Sequence, residues 1–126
     1  MIAYIDTHVA VLITHSAKKL PRSAANTLRR AKKIRISPAV ILELQMLREI
    51  GRLNVSPNSF IDALRESFEL ETCPLPFADV AEAARALSWT RDPFDRFIVA
   101  QASLAKNVLV TRDQAIRENF RHAVWD

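Results

Sequence analysis

Glycine is almost missing from this 126-residue chain, which has only Gly51. Phosphate-cradling loops of the Walker or dinucleotide type need several glycines so that the backbone can approach the phosphates closely, and their absence excludes that chemistry. Cysteine is equally scarce. Cys73 stands alone, can form no internal disulfide and has no histidine at zinc-finger spacing, which favours a reducing, intracellular setting and a role as a small buried hydrophobe. The three histidines, His8, His15 and His122, lack a paired metal spacing and read as structural or surface residues. Low-complexity tracts, internal repeats and long apolar runs are also absent. The opening MIAYIDTHVAVLI carries Asp6 and His8 and has neither a basic leader nor a small-residue cleavage pattern, so neither a signal peptide nor a membrane span is expected, and a cytoplasmic protein is.

What is present is charge, unevenly placed. The chain carries a formal +4, yet residues 1–35 hold eight Lys/Arg (Lys18, Lys19, Arg22, Arg29, Arg30, Lys32, Lys33 and Arg35) against the single acid Asp6. A polyanion is a reasonable partner for that segment, although a basic helix face is often only solvated. At this length a single domain spanning 1–126 has enough chain for a real core.

Short apolar runs alternate with helical patterns. Residues 2–6, 34–37, 71–75, 108–111 and 123–125 read as strands. Residues 7–20, 23–33, 38–53, 57–70, 77–89 and 93–107 read as helices, and Ser37-Pro38, Ser56-Pro57 and Asp92-Pro93 are cap-plus-proline helix starts. Apolar strands alternating with helices predict a three-layer α/β/α domain around a mostly parallel sheet of four to five strands. In such sheets ligands gather beyond the carboxyl ends of the strands. Asp6 ends the first strand and Asp113 follows VLVT by two residues, which brings both to one edge.

Two further acids sit where an apolar residue belongs. Glu43 falls on the helix arc of Ala39, Val40, Leu44, Met46, Leu47 and Ile50, a local inconsistency typical of functional sites, or a side chain snorkelling to water. Asp95 shares a face with Ile98, Val99 and Ala102, and helix-end electrostatics worth ~0.3–1 kcal/mol do not explain a partly buried charge there. Asp92, just before Pro93, reads as a helix cap worth ~1 kcal/mol. Carboxylates converging at about 5 Å repel by ~3 kcal/mol per pair at an effective dielectric near 20. Protons, basic partners or a metal must offset this. Oxygen-only ligands point to Mg2+ or Mn2+ rather than zinc, and such an ion beside basic residues suits phosphodiester hydrolysis without a Ser or Cys nucleophile.

Taken in order, YIDTHV, SPAVILEL, RDPFDRFIVAQA and LVTRDQAI resemble the motifs of PIN-domain ribonucleases, and more closely those of VapC-type toxins of toxin–antitoxin pairs. The resemblance covers nearly the whole chain. It implies a PIN-like fold and a metal-dependent endoribonuclease, with Asp6, Glu43, Asp95 and Asp113 as catalytic ligands of Mg2+ or Mn2+, directly or through water. Thr7 and Thr111 would orient carboxylates or water, and Asp92 matches an auxiliary acid. The family also implies a homodimer and a cognate antitoxin lying over the active site. Arg91, Arg96 and Arg112 neighbour the acids and would contact RNA or the antitoxin, or else form internal pairs. The basic segment 18–35 would extend the RNA track, while Trp89 and Trp125 read as core or dimer interface rather than base-stacking platforms. An alternative is a non-catalytic RNA- or protein-binding module. A phosphatase using Asp6 as nucleophile is disfavoured, because position 8 holds His where a second acid is wanted.

Overall fold

The computed structural model describes residues 1–126. Five strands, β1 (Ile2–Ile5), β2 (Lys33–Ile36), β3 (Leu70–Thr72), β4 (Val108–Val110) and β5 (Ala123–Val124), form one sheet in the order β3-β2-β1-β4-β5. Every neighbouring pair is parallel. Seven helices flank it: α1 (Thr7–Ser16), α2 (Arg22–Arg30), α3 (Pro38–Glu49), α4 (Pro57–Ser67), α5 (Phe77–Ala84), α6 (Pro93–Leu104) and α7 (Gln114–Asn119), with a 3-10 turn at Ala17–Lys19. The expected three-layer α/β/α fold is present.

Topology follows from handedness. The chain steps from β1 to β2 and β3 in one direction and returns to place β4 and β5 on the other side of β1. Right-handed crossovers then cover both faces, and the reversal leaves a crevice at the carboxyl ends of β1 and β4. Register fixes its walls: Tyr4 pairs with Leu109 and Ile5 with Val110, and the Asp6 N–H extends the ladder to the Val110 carbonyl at 3.1 Å. Tyr4, Ile5, Leu109 and Val110 are fully buried, and burying such a side chain contributes ~1.5–3 kcal/mol. The floor of the crevice is therefore rigid. No helix is long and apolar enough to cross a membrane.

Several helices are shorter than their apolar patterns. Helix α3 ends at Glu49, where Gly51 adopts φ +82° and the Arg52 N–H reaches the Leu47 carbonyl at 2.9 Å. This is a Schellman turn, for which glycine has no Cβ penalty. Helix α6 closes with the same pair of bonds, from Lys106 to Ser103 and Asn107 to Ala102, but with Lys106 at φ 57°, so no glycine marks its end. Helix α5 stops at Ala84 rather than continuing to residue 89, and Arg96 holds the following loop by donating to the Thr90 and Ala84 carbonyls. Strands β2 and β3 each begin one residue earlier than expected, and β2 ends at Ile36 because Ser37 leaves the sheet to cap α3.

Candidate active site at the β1–β4 crevice

Five helix or strand ends meet at the crevice, and the polar residues there are held by short local bonds. Asp6 is 4% exposed. Its Oδ1 accepts the Thr7 N–H at 2.8 Å, capping α1, and its Oδ2 accepts the Thr111 hydroxyl at 2.7 Å. The Thr111 hydroxyl oxygen in turn accepts the Asp113 N–H at 3.1 Å, while Asp113 Oδ1 accepts the Ile116 N–H at 2.9 Å and caps α7. The Thr7 hydroxyl donates to Glu43 Oε1. Each threonine hydroxyl thus donates to one acid of the crevice, Thr7 to Glu43 and Thr111 to Asp6.

Asp6, Glu43, Asp92, Asp95 and Asp113 all line one cavity of about 410 Å³. Asp92 does two things at once: its Oδ1 accepts from the N–H of Phe94 (2.8 Å) and of Asp95 (3.4 Å), starting α6, and it borders the cavity. Asp95 projects from the first turn of α6, whose Ile98, Val99 and Ala102 are buried as its periodicity indicated. Its carboxylate accepts no hydrogen bond and meets no cation within the protein.

Electrostatics bear this out. Burial, then the neighbouring charges of Asp92, Asp6, Asp113 and Glu43, push Asp95 up to about 7. Burial also raises Glu43, against the lowering effect of the Thr7 hydroxyl. None of the cavity's carboxylates is paired with a lysine or arginine; only His8 approaches one, with Nδ1 3.5 Å from Asp6 Oδ2. Even so, no three acidic or imidazole side chains stand close enough to enclose an ion among themselves. Hydrated magnesium does not demand such a cage, since it keeps several waters and takes one or two carboxylates directly.

The placement of the other candidates is uneven. Arg112 lines the cavity, whereas Arg91 and Arg96 do not. The guanidinium of Arg91 donates to the Ser88 carbonyl at 2.7 Å, and that of Arg96 to Thr90 at 2.9 Å, so both tie down the loop before α6. On α3, Val40 and Leu44 are buried, but Met46 and the C-cap residue Ile50 are 45% and 67% exposed. The helix is apolar over more of its girth than the core covers, and Glu43 marks the margin.

Two further residues border the cavity, of which Arg52 was not singled out in the sequence. Arg52 lines the cavity because the Gly51 turn carries the chain back over it. His8, read as structural or surface, also borders it: Nε2 accepts the Arg112 N–H at 2.9 Å, a structural bond, and burial lowers its pKa. The acceptor role leaves the proton of the neutral ring on Nδ1, facing Asp6. Its place in the first turn after the strand-end aspartate was the available signal.

No curated protein matches the sequence significantly. Among solved structures, VapBC2 of Rickettsia felis bound to a promoter DNA fragment is 21% identical with a TM-score of 0.63, covering 100% of both chains. A toxin–antitoxin complex from Klebsiella pneumoniae is 20% identical (TM-score 0.63, 96% of this chain and 94% of that one). DNA-bound VapBC from Salmonella typhimurium is 16% identical (TM-score 0.64, 98% and 95%). At these identities the likeness is one of fold. The PIN domain family model matches residues 3–120, nearly the entire chain, and with the acid-lined crevice where the strand order reverses, the protein belongs to the PIN domain family.

Proposed function

We propose that the protein is a metal-dependent endoribonuclease and the toxin of a type II toxin–antitoxin pair, acting in the cytoplasm. One observation carries the reading: five carboxylates line one cavity with no basic side chain paired to any of them, and two are pushed toward protonation. An all-oxygen donor set of this kind suits Mg2+ or Mn2+, held by Asp6, Glu43, Asp95 and Asp113 directly or through water. When bound, such an ion activates a water and neutralises charge developing on the phosphate.

The chain's own residues do the rest. Asp6 is locked by two hydrogen bonds and by the strand ladder. Thr7 aims Glu43, and Thr111 spaces Asp113 from Asp6. Asp95 keeps both oxygens free for water or an ion. Arg52 and Arg112 at the rim supply donors for a phosphate oxygen. Cleavage of RNA in Mg2+ or Mn2+ should be abolished by EDTA and lost in Asp6→Asn; EDTA-resistant cleavage, or full activity of that variant, would rule the reading out.

The partners follow from the same family. The VapBC complexes among the similar structures support a cognate antitoxin as partner, and the crevice is the face we expect it to cover. A homodimer is supported by the row of Leu42 and Met46 on α3 and Ile50 just after it, exposed together with Phe77. Beside this row a 320 Å³ apolar groove contains Gln101, whose buried Oε1 has no hydrogen-bond partner. Leu42→Glu should shift the sedimenting species toward monomer; an unchanged dimer would place the interface elsewhere. A binding module without turnover is the second reading, favoured by the spread of the acids, and retention of RNA or antitoxin binding with no cleavage in any divalent metal would select it.

A further inference from the structure

The basic residues of segment 18–35 do not form one surface. Lys33 and Arg35 both reach Glu71 Oε2, at 3.7 and 2.6 Å, and Arg29 donates to Asn26 Oδ1. What remains on α2 is a single face on which Arg22, Ser23, Asn26, Thr27 and Arg30 line a concavity of about 450 Å³ with no hydrophobic wall. Neither Arg22 nor Arg30 has an acidic partner or an internal hydrogen bond. The one acid at this groove, Asp126, is paired with Arg117.

The groove is joined to the crevice through a single residue. The Trp125 carbonyl accepts the Ala24 N–H at 3.0 Å, which docks the start of α2, and the Trp125 ring meets His8 edge-on with centroids 6.1 Å apart. His8 lines the acidic cavity, and Asp126, next after Trp125, lines the groove. Arg22 and Arg30, eight residues apart, lie about 12 Å apart along the helix axis. Two free guanidinium groups of five donors each, with hydroxyl and amide groups between them, form a surface for successive anionic groups.

We propose that this groove is a second RNA-contact site, taking the phosphodiester backbone of a single strand on one side of the crevice. The placement of the scissile phosphate rests on the nuclease reading; the groove's affinity for RNA does not. In the cavity five carboxylates outnumber Arg52 and Arg112, so without a metal ion most of the affinity for a polyanion comes from cationic surface outside it. The strand must also turn over the sheet edge past Trp125, which a duplex with a persistence length of about 150 base pairs resists and a single strand does not.

The test uses the full chain and a fluorescent oligouridylate about twelve nucleotides long, titrated in excess EDTA so that turnover plays no part. Arg22→Gln/Arg30→Gln should weaken binding about tenfold at low salt. It should also flatten the slope of log K against log salt by ~1.4, the loss of two single-strand phosphate contacts, with the melting temperature unchanged. Lys18→Gln/Lys19→Gln removes the same charge outside the groove and should keep the wild-type slope. Equal losses in the two double variants, or wild-type binding by the arginine variant, would each overturn the proposal. Because the titration is metal-free, absent cleavage would sink the nuclease reading and leave this result standing on its own.

Discussion

Replacing Asp95 by asparagine removes the charge that the folded crevice tolerates least. Its carboxyl titrates at about 7 instead of the ordinary 3.8, a gap of about three pH units, or ~4 kcal/mol if fully expressed. The side chain is only half-buried, and solvent screening reduces this to ~2 kcal/mol. A pKa raised by folding means that the folded chain binds the extra proton. The associated stability is complete below about pH 4 and is lost as pH rises through 7. Asparagine is neutral throughout and breaks no hydrogen bond, because the Asp95 carboxylate makes none. In excess EDTA at about pH 8, Asp95→Asn should therefore melt ~8 °C above the parent, taking ~4 °C per kcal/mol for a chain of this size. The gain should vanish near pH 4, and Mg2+ or Mn2+ should stabilise the parent while leaving the variant where it was. Circular-dichroism melts across that pH range decide the matter. Equal melting temperatures at pH 8, or a gain that persists at pH 4, would refute the electrostatic reasoning.

Thr111→Val removes the hydroxyl that holds Asp6 Oδ2 and spaces Asp113, and should lower Mn2+ affinity by calorimetry ~10–100-fold, the usual cost of losing an outer partner of a ligand. Gly51→Ala places a Cβ at φ +82° and should destabilise by ~1 kcal/mol in urea unfolding, whereas Lys106→Gly, at φ 57°, should stabilise by a similar amount. His8 should appear by nitrogen-15 NMR as the neutral Nδ1–H form at pH 7, because burial depresses its pKa and Nε2 is already an acceptor; a protonated Nε2 would contradict the assignment. Since its folded pKa lies below the ordinary 6.5, the stability it contributes is present above about pH 6.5 and lost on acidification. His8→Gln should be less sensitive to that change in thermal melts.

Much of this molecule was legible from residue order alone, and the reasons differ by element. The parallel sheet declared itself through strands buried on both faces. The acids at Asp6 and Asp113 declared themselves through strand-end position, and Glu43 and Asp95 by standing on helical faces that also bury Leu44 and Ile98. Helix ends were less legible. The apolar pattern continues past Ala84 and Leu104, and only tertiary bonds from Arg96 and a left-handed Lys106 stop those helices. Helix α7 was not anticipated, because six residues are too few to establish a period. Basic residues were the least readable class: whether Arg35 meets Glu71 or Arg22 meets nothing depends on strand register and helix docking, which composition does not encode.

The order of the strands also sets a timetable. β1 precedes the other four strands in the chain, yet it lies in the middle of the sheet, flanked by β2 and by a strand that begins at Val108. At ~5–20 residues per second, Asp6 waits on the order of 10 s for the segment bearing Thr111 and Asp113. During that interval its Oδ2 lacks the threonine hydroxyl, and one wall of the crevice has yet to be translated. The acidic cavity is thus a late product of synthesis, and a nascent chain halted before β4 carries the aspartate without the chamber around it.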